Sequence, residues 1–220
     1  MTMEALLAEQ RRYYAERAPE YDDWWFRRGR YALDAEAEAD WFAEVAEVED
    51  ALGSFAPRGD VLELAAGTGI WTRKLVRLAD RVVAVDANAE TLALNTAEAE
   101  LVRADLFSAW RPGERFDLCF FSFWLSHVPE ARFDEFWGLV RASLRPGGRV
   151  FLVDSAAGDP AHAEARTSEE ERRLLADGRE FTIVKRHWEP QELAGRVRPL
   201  GFELELRLTT HGHFLYGGGA

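Results

Sequence analysis

Three carboxylates punctuate the first half of this sequence: Glu63 in VLELAAGTG, Asp86 closing RVVAVD and Asp105 closing LVRAD. Asp86 lies nineteen residues beyond Gly67, and Asp105 nineteen beyond Asp86. An acid at that distance from a strand–glycine loop is placed to grip ribose hydroxyls. Gly67 and Gly69 suit a backbone that must approach a ligand closely at a helix N-terminus. The third glycine of a dinucleotide fingerprint is replaced by Thr72, and no Gly-Lys-Ser/Thr follows as it would in a P-loop. Glu63 stands among Val61, Leu62 and Leu64, where a carboxylate is costly unless it is partnered. A ligand with positive charge or several donors would partner it, whereas a pyrophosphate would be repelled. The three acids together predict a ligand with a ribose, an exocyclic amine and little negative charge.

A second set of residues could act on a substrate. His127 follows FDLCFFSFW, at the carboxyl end of an apolar run, where open α/β sheets place their ligands. It titrates near neutral pH and is the candidate general base. The alternative is that it bonds the loop before Pro129 or orients a substrate without taking its proton. Asp154 ends GRVFLVDS, placed to orient a histidine, bind a substrate hydroxyl or simply cap a turn. Asp154, Asp159 and His162 only loosely approximate a metal site, their spacing matches no defined motif, and no metal is expected. The aromatic and basic run YDDWWFRRGRY (Tyr21–Tyr31) is expected to act as a lid that excludes solvent. Trp24 and Trp25 are adjacent, so at most one is core and the other is free to wall a pocket. Phe121, Phe123 and Trp124 offer an apolar floor, although Phe121 equally suits core packing. His211 and His213 flank Gly212 at a turn.

Certain elements must position these residues. Up to about Leu52 the sequence reads as helices: Leu6, Gln10, Tyr13/Tyr14 and Arg17 fall at helical spacing, and Leu33, Ala37, Trp41, Val45, Val48 and Leu52 form a clearer stripe. From Asp60 the pattern changes to short apolar runs at 61–66, 81–87, 116–123 and 148–155, with a weaker strand at 101–105. Helical windows at 69–79, 89–99 and 131–144 separate them. Continuous apolar runs alternating with helices mean parallel strands covered on both faces. Beyond Ser155 the regularity breaks. A helix is expected over 168–176, a strand over 179–186, a short helix over 190–199, and closing strands over 202–208 and 213–217.

The segments VLELAAGTG, VVAVDAN, VRADLF, FDLCFFSFWLSHV and LRPGGRVFLVD, in this order and spacing, resemble the class I S-adenosylmethionine-dependent methyltransferases. The resemblance covers roughly residues 60–208. It implies a Rossmann-like doubly wound α/β sheet of order 3-2-1-4-5-7-6, mostly parallel with an antiparallel closing strand, preceded by an N-terminal helical cap. One domain is expected over 1–220, with the cap at 1–52 and a core at 53–220 carrying an insertion at 156–188. The resemblance also implies that Glu63, Ala65, Gly67 and Gly69 frame the methionine end of S-adenosylmethionine. Asp86 and Ala87 would hold the ribose, Asp105 and Leu106 the adenine, with Ser122, Tyr14 and Arg30 as further cofactor contacts. Tyr21, Trp25, Trp124 and His127 would meet the substrate, and S-adenosylhomocysteine would be the product. Methyl transfer from a sulfonium needs alignment and exclusion of water, and a base only when the acceptor is a hydroxyl. A hydroxyl of a sugar or secondary metabolite is the preferred acceptor. Nitrogen, carbon and sulfur acceptors, a nicotinamide oxidoreductase and a catalytically silent cofactor-binding protein stay open.

Charge and composition narrow the partners. The formal net charge is −12, which opposes nucleic acid and anionic membranes. A small-molecule substrate is expected, without nucleic acid or membrane, for a monomer or homodimer. The lone cysteine, Cys119, permits no intramolecular disulfide, no cysteine metal cluster is possible, and no apolar stretch is long enough to span a bilayer. A cytoplasmic protein is expected.

Overall fold

The structure, a computed structural model, describes residues 1–108, 110–156 and 169–220. Helix α1 spans Met3–Trp25, its N-terminus capped by the Thr2 hydroxyl, which accepts from Ala5 N at 3.2 Å. It takes in the first half of the aromatic run, so Tyr21–Trp25 are helical rather than a linker. A 3-10 turn at Gly29–Tyr31 leads to helix α2, Ala35–Phe55, capped by Asp34. Trp41, Val45, Val48 and Leu52 of the expected stripe are buried, while Leu33 lies before the helix and is exposed.

Strands β1 (Asp60–Leu64), β2 (Arg81–Asp86), β3 (Glu100–Arg103), β4 (Phe116–Ser122) and β5 (Leu144–Ser155) pair in parallel. Strands β8 (Leu204–Leu208) and β9 (Phe214–Gly219) complete a sheet ordered β3-β2-β1-β4-β5-β9-β8. β9 is antiparallel to both of its neighbours. Strands β6 (Glu170–Leu174) and β7 (Glu180–Val184) form a separate hairpin, so the large sheet has the expected order with β8 and β9 as its sixth and seventh strands. No helix among the described residues is long and apolar enough to cross a membrane.

Period-two alternation sends successive β1 side chains to opposite faces. Leu62 and Leu64 join a core with Phe121, Trp137 and Val140, under helices α5 (Phe133–Ser143) and α6 (Pro190–Val197). Val61 joins another with Trp41, Val48, Trp71 and Phe120, under α2. The sheet is therefore covered on both faces, as its apolar strands require.

Three elements differ from expectation. The described part of 168–176 is strand, not helix, over Glu170–Leu174: all five of these residues pair with Glu180–Val184, and pairing with the segment FTIV overrides the helical preference of the charged residues. Only Thr72–Leu75 (α3) and Ala89–Leu92 (α4) of the windows 69–79 and 89–99 are α-helical. The second stops where Asn95 turns its side chain inward, donating to Thr72 Oγ1 at 2.9 Å and accepting from Ala97 N at 3.2 Å.

Candidate active site

The carboxyl ends of β1, β2 and β4 open onto a cavity closed on its far side by α1. Ala65, Gly67, Asp86, Ala87, Asp105, Leu106, Ser122, Trp124, His127, Tyr14 and Tyr21 all line it. Asp86 is its best-tied acid. One of its oxygens accepts from Gly67 N at 2.9 Å, and the other from Asn88 N at 2.8 Å and Thr91 Oγ1 at 3.1 Å. The acid after the second strand thereby fixes the glycine loop after the first. Burial raises the Asp86 pKa, and the N–H groups of Asn88 and Gly67 offset part of that rise. Asp105 accepts from Phe107 N at 2.9 Å and pairs with Arg11 of α1 at 3.0 Å. Ala65 and Phe123 hold positive φ angles of 54° and 49° at the two strand ends that flank the cavity. Non-glycine residues in that conformation are strained, and such strain gathers at functional sites.

A larger cavity adjoins this one and shares Tyr21, Phe123 and His127 with it. It encloses about 1550 Å³ of atom-free space, open solvent included. Arg17, Arg30, Arg172, Arg173 and Lys185 line it, an accumulation of cations in a chain of net charge −12. Arg30 bonds Glu20, Arg172 pairs with Glu180, and Arg173 with Glu171. Arg17 differs. Among the described residues its guanidinium meets no carboxylate: it donates to the Tyr31 hydroxyl at 3.4 Å, and its buried Nε has no hydrogen-bond partner. Its pKa is raised. Burial opposes the charge, and the surrounding tyrosines Tyr13, Tyr14, Tyr31 and Tyr21 favour it, with the ring centroids of Tyr13, Tyr21 and Tyr31 at 5.6, 5.1 and 5.9 Å from the guanidinium carbon.

His127 sits at the boundary of the two cavities with a defined tautomer. Its Nδ1 lies 2.6 Å from the Val184 carbonyl oxygen and so must carry the proton it donates. Its Nε2 then accepts from the Tyr14 hydroxyl, 2.7 Å away. Burial, then the charge of Lys185, drives the His127 pKa well below its ordinary value, so the ring is neutral. Burial likewise raises Tyr14 far above its ordinary value and Tyr21 to about 12. Gln10, one helical turn before Tyr14, ties the assembly together. Its carbonyl oxygen accepts from Val184 N at 2.9 Å, and its amide donates to the His127 carbonyl at 3.2 Å.

Several residues singled out in the sequence take other places. Asp154 lines neither cavity. It is buried, accepts from Ser126 N and Ser155 N at 2.8 Å each, and lies 3.8 Å from Lys185 Nζ, so it supports the His127 loop instead of facing substrate. Trp25 is core, packed against Trp41 and Trp71, and its neighbour Trp24 walls the larger cavity. Arg30 belongs to that cavity too, not to the first. Gly69 faces neither: a Cβ there would lie 2.1 Å from Asn95 Oδ1, so its glycine serves packing and a φ of 84°. Glu63 shares a β1 face with Val61 and points away from both cavities. Its carboxyl oxygens have no hydrogen-bond partner, and burial lifts its pKa to about 8 despite the nearby Thr72 hydroxyl. Burial therefore favours its protonated form. Asp159 and His162 lie outside the described residues, which contain no cluster able to hold a metal ion.

Sequence reasoning missed any site role for Gln10, Arg11, Arg17, Arg172, Arg173 and Lys185. The spacing of Gln10, Tyr14, Arg17 and Tyr21 marks one helix face, and Lys185 is one of only two lysines. Which way that face points is fixed only when α1 docks on β7.

A family profile described as a methyltransferase domain matches residues 61–148. Among solved structures, the complex of DhpI with SAM and HEP is 36% identical, covers 100% of both chains and superposes with a TM-score of 0.82. The DhpI–SAH complex is 38% identical over 100% of this chain and 98% of that one, with a TM-score of 0.81. The Burkholderia thailandensis 1,6-didemethyltoxoflavin-N1-methyltransferase, bound to 1,6-didemethyltoxoflavin and S-adenosylhomocysteine, shares the fold at 20% identity. There 100% of this chain and 90% of that one align, with a TM-score of 0.65. No curated protein sequence matches the chain.

Proposed function

The chain belongs to the class I S-adenosylmethionine-dependent methyltransferases, and from that premise we propose that it methylates an oxygen of a small anionic molecule. The observation that carries this reading is Arg17: a largely buried guanidinium, without a carboxylate among the described residues, in a cation-rich cavity beside the cofactor cavity. A buried guanidinium surrounded by tyrosine rings still lacks a countercharge, and an oxyanion would supply both that charge and the missing acceptor for Nε. DhpI, similar to this chain over its whole length, binds SAM together with a second ligand, HEP.

S-adenosylmethionine supplies a methyl group already activated by the sulfonium charge. Asp86 and Asn88 would hold its ribose, and Asp105, Leu106 and Phe107 its adenine. Tyr21, Phe123 and His127, common to both cavities, would frame the line of transfer. Arg17 would orient the acceptor, and α1 would exclude water, which accounts for much of what such a displacement needs. An oxyanion carries its own nucleophilic lone pair and needs no base. That agrees with a His127 whose Nε2 is already engaged by Tyr14.

A second reading keeps His127 as base for a hydroxyl acceptor, and the Tyr14–His127 hydrogen bond favours it. The acceptor proton would pass to the Tyr14 oxygen while the Tyr14 proton passes to Nε2. Methyl-labelled S-adenosylmethionine offered with a panel of small phosphates, carboxylates, neutral alcohols and amines tests the function. Labelled anions, and their loss in Arg17→Met, support it. Labelling confined to neutral acceptors and unaffected in Arg17→Met overturns it. Once an acceptor is in hand, a flat rate between pH 6 and 9 in Tyr14→Phe favours the oxyanion, and a collapse favours the relay.

A further inference from the structure

The larger cavity has a second wall that an oxyanion cannot use. It begins at Phe123, on the boundary with the cofactor cavity, and runs ring to ring. Phe123 meets Trp24 at 5.1 Å and 85°, Trp24 meets Trp41 at 5.6 Å and 78°, and Trp41 meets Phe214 at 4.6 Å. All four line the cavity, and Leu33, 39% exposed, stands at its outer end. Arg27 covers the Trp41 end of this wall, which leaves Phe123 and Trp24 as the rings presented to a ligand. The guanidinium carbon of Arg27 lies 3.2 Å from the Trp41 ring centroid and 5.4 Å from that of Trp24.

The two walls make different demands on a ligand. A bare oxyanion satisfies Arg17 but leaves the half-buried rings of Trp24 and Phe123, backed by the buried Trp41 and Phe214, without an apolar partner, whereas rings favour one by both area and edge-to-face geometry. A neutral aromatic molecule satisfies the rings but leaves Arg17 unpaired. Only a molecule carrying both parts answers both walls, and Phe123 and Tyr21 put its junction near the cofactor.

We infer that the acceptor is an amphiphilic anion: an oxyanion head held by Arg17, joined to a flat apolar body that lies along Phe123 and Trp24. This rests on the anionic-acceptor reading above and adds the class of its second half. Such a body would also set specificity, because a ring packed on Trp24 and Phe123 fixes the angle at which the head meets the methyl group.

Calorimetric titration of the S-adenosylhomocysteine-loaded protein with methyl phosphate, phenyl phosphate and phenol tests it. Phenyl phosphate is expected to bind at least tenfold more tightly than methyl phosphate. In Trp24→Leu that ratio is expected to fall below threefold, with Trp24→Phe in between as a variant that keeps an aromatic ring. Equal affinities for the two phosphates in the unmodified protein, or an undiminished ratio in both variants, overturn the inference and leave the anionic-acceptor reading standing. Phenol bound as tightly as phenyl phosphate overturns that reading, and the inference with it.

Discussion

Replacing Glu63 by glutamine should stabilise the protein, and by an amount that depends on pH. Glu63 is 1% exposed, neither carboxyl oxygen has a partner, and its pKa moves from 4.5 to about 8 on burial. Below pH 4.5 the group is protonated in folded and unfolded chains alike and contributes no pH dependence. Between 4.5 and 8 the unfolded chain releases the proton while the folded chain keeps it, so folding is progressively disfavoured. Each pH unit costs roughly 1.4 kcal/mol, about 3 kcal/mol by pH 7 and about 5 kcal/mol above pH 8. Glutamine is neutral throughout and nearly isosteric. Its amide leaves polar atoms unpaired much as the protonated acid does, so that penalty largely cancels in the comparison. Urea unfolding of the two proteins at pH 5, 6, 7 and 8.5 should show a small difference at the lowest pH that widens steadily to the highest. A gap that stays constant across pH would refute the argument, because it would mean that Glu63 ionises as freely when folded as when unfolded. S-adenosylhomocysteine affinity measured on the same samples should be unchanged at pH 7, since the carboxyl faces neither cavity.

Asp86→Asn should weaken S-adenosylhomocysteine binding by about 2 kcal/mol, roughly thirtyfold by calorimetry, since the carboxylate both fixes the glycine loop and faces the cavity. Gln10→Leu removes the acceptor for Val184 N and the donor to the His127 carbonyl. Amide exchange at Val184 should quicken, and the thermal midpoint should fall by a few degrees, for about 2 kcal/mol lost. Glu44→Ala should cost about 3 kcal/mol in thermal unfolding at pH 7, because His211 N, Gly212 N and both His213 nitrogens that bond Glu44 lose their acceptor together. Burial opposes the Glu44 charge, but bonds from Thr209, His211 and His213 outweigh it and lower its pKa. Its contribution is therefore present above its unfolded pKa and lost as pH falls through the folded one. The gap between the two proteins should accordingly narrow as pH falls below the ordinary glutamate range.

Much of the fold was legible because strand and glycine-loop signals are local. The apolar runs at β1, β2, β4 and β5, and the acids that end β2 and follow β3, can be recognised without knowing what packs on them. Glu63 shows where such reading goes astray. Its period-two partner is Val61, so alternation sends it beneath the sheet, whereas proximity to Gly67 suggests a ligand. Adjacency in Trp24-Trp25 says that at most one ring is core but not which, because the answer depends on where α2 brings Trp41. The alternation of 179–186 announced β7, but its partner β6 was hidden for a similar reason. EERRL has no strand preference of its own and takes its conformation from the partner strand. Arg17 was visible as a helical residue, yet its importance lies in a carboxylate that fails to meet it, and sequence carries no sign of that.

Helix α1 contributes Gln10 and Tyr14 to one cavity, Arg17 to the other and Tyr21 to both. On the proposed reading, any displacement of α1 alters the walls of the cofactor cavity and the acceptor cavity together, so a substitution on that helix made to reshape one ligand's surroundings also reshapes the other's.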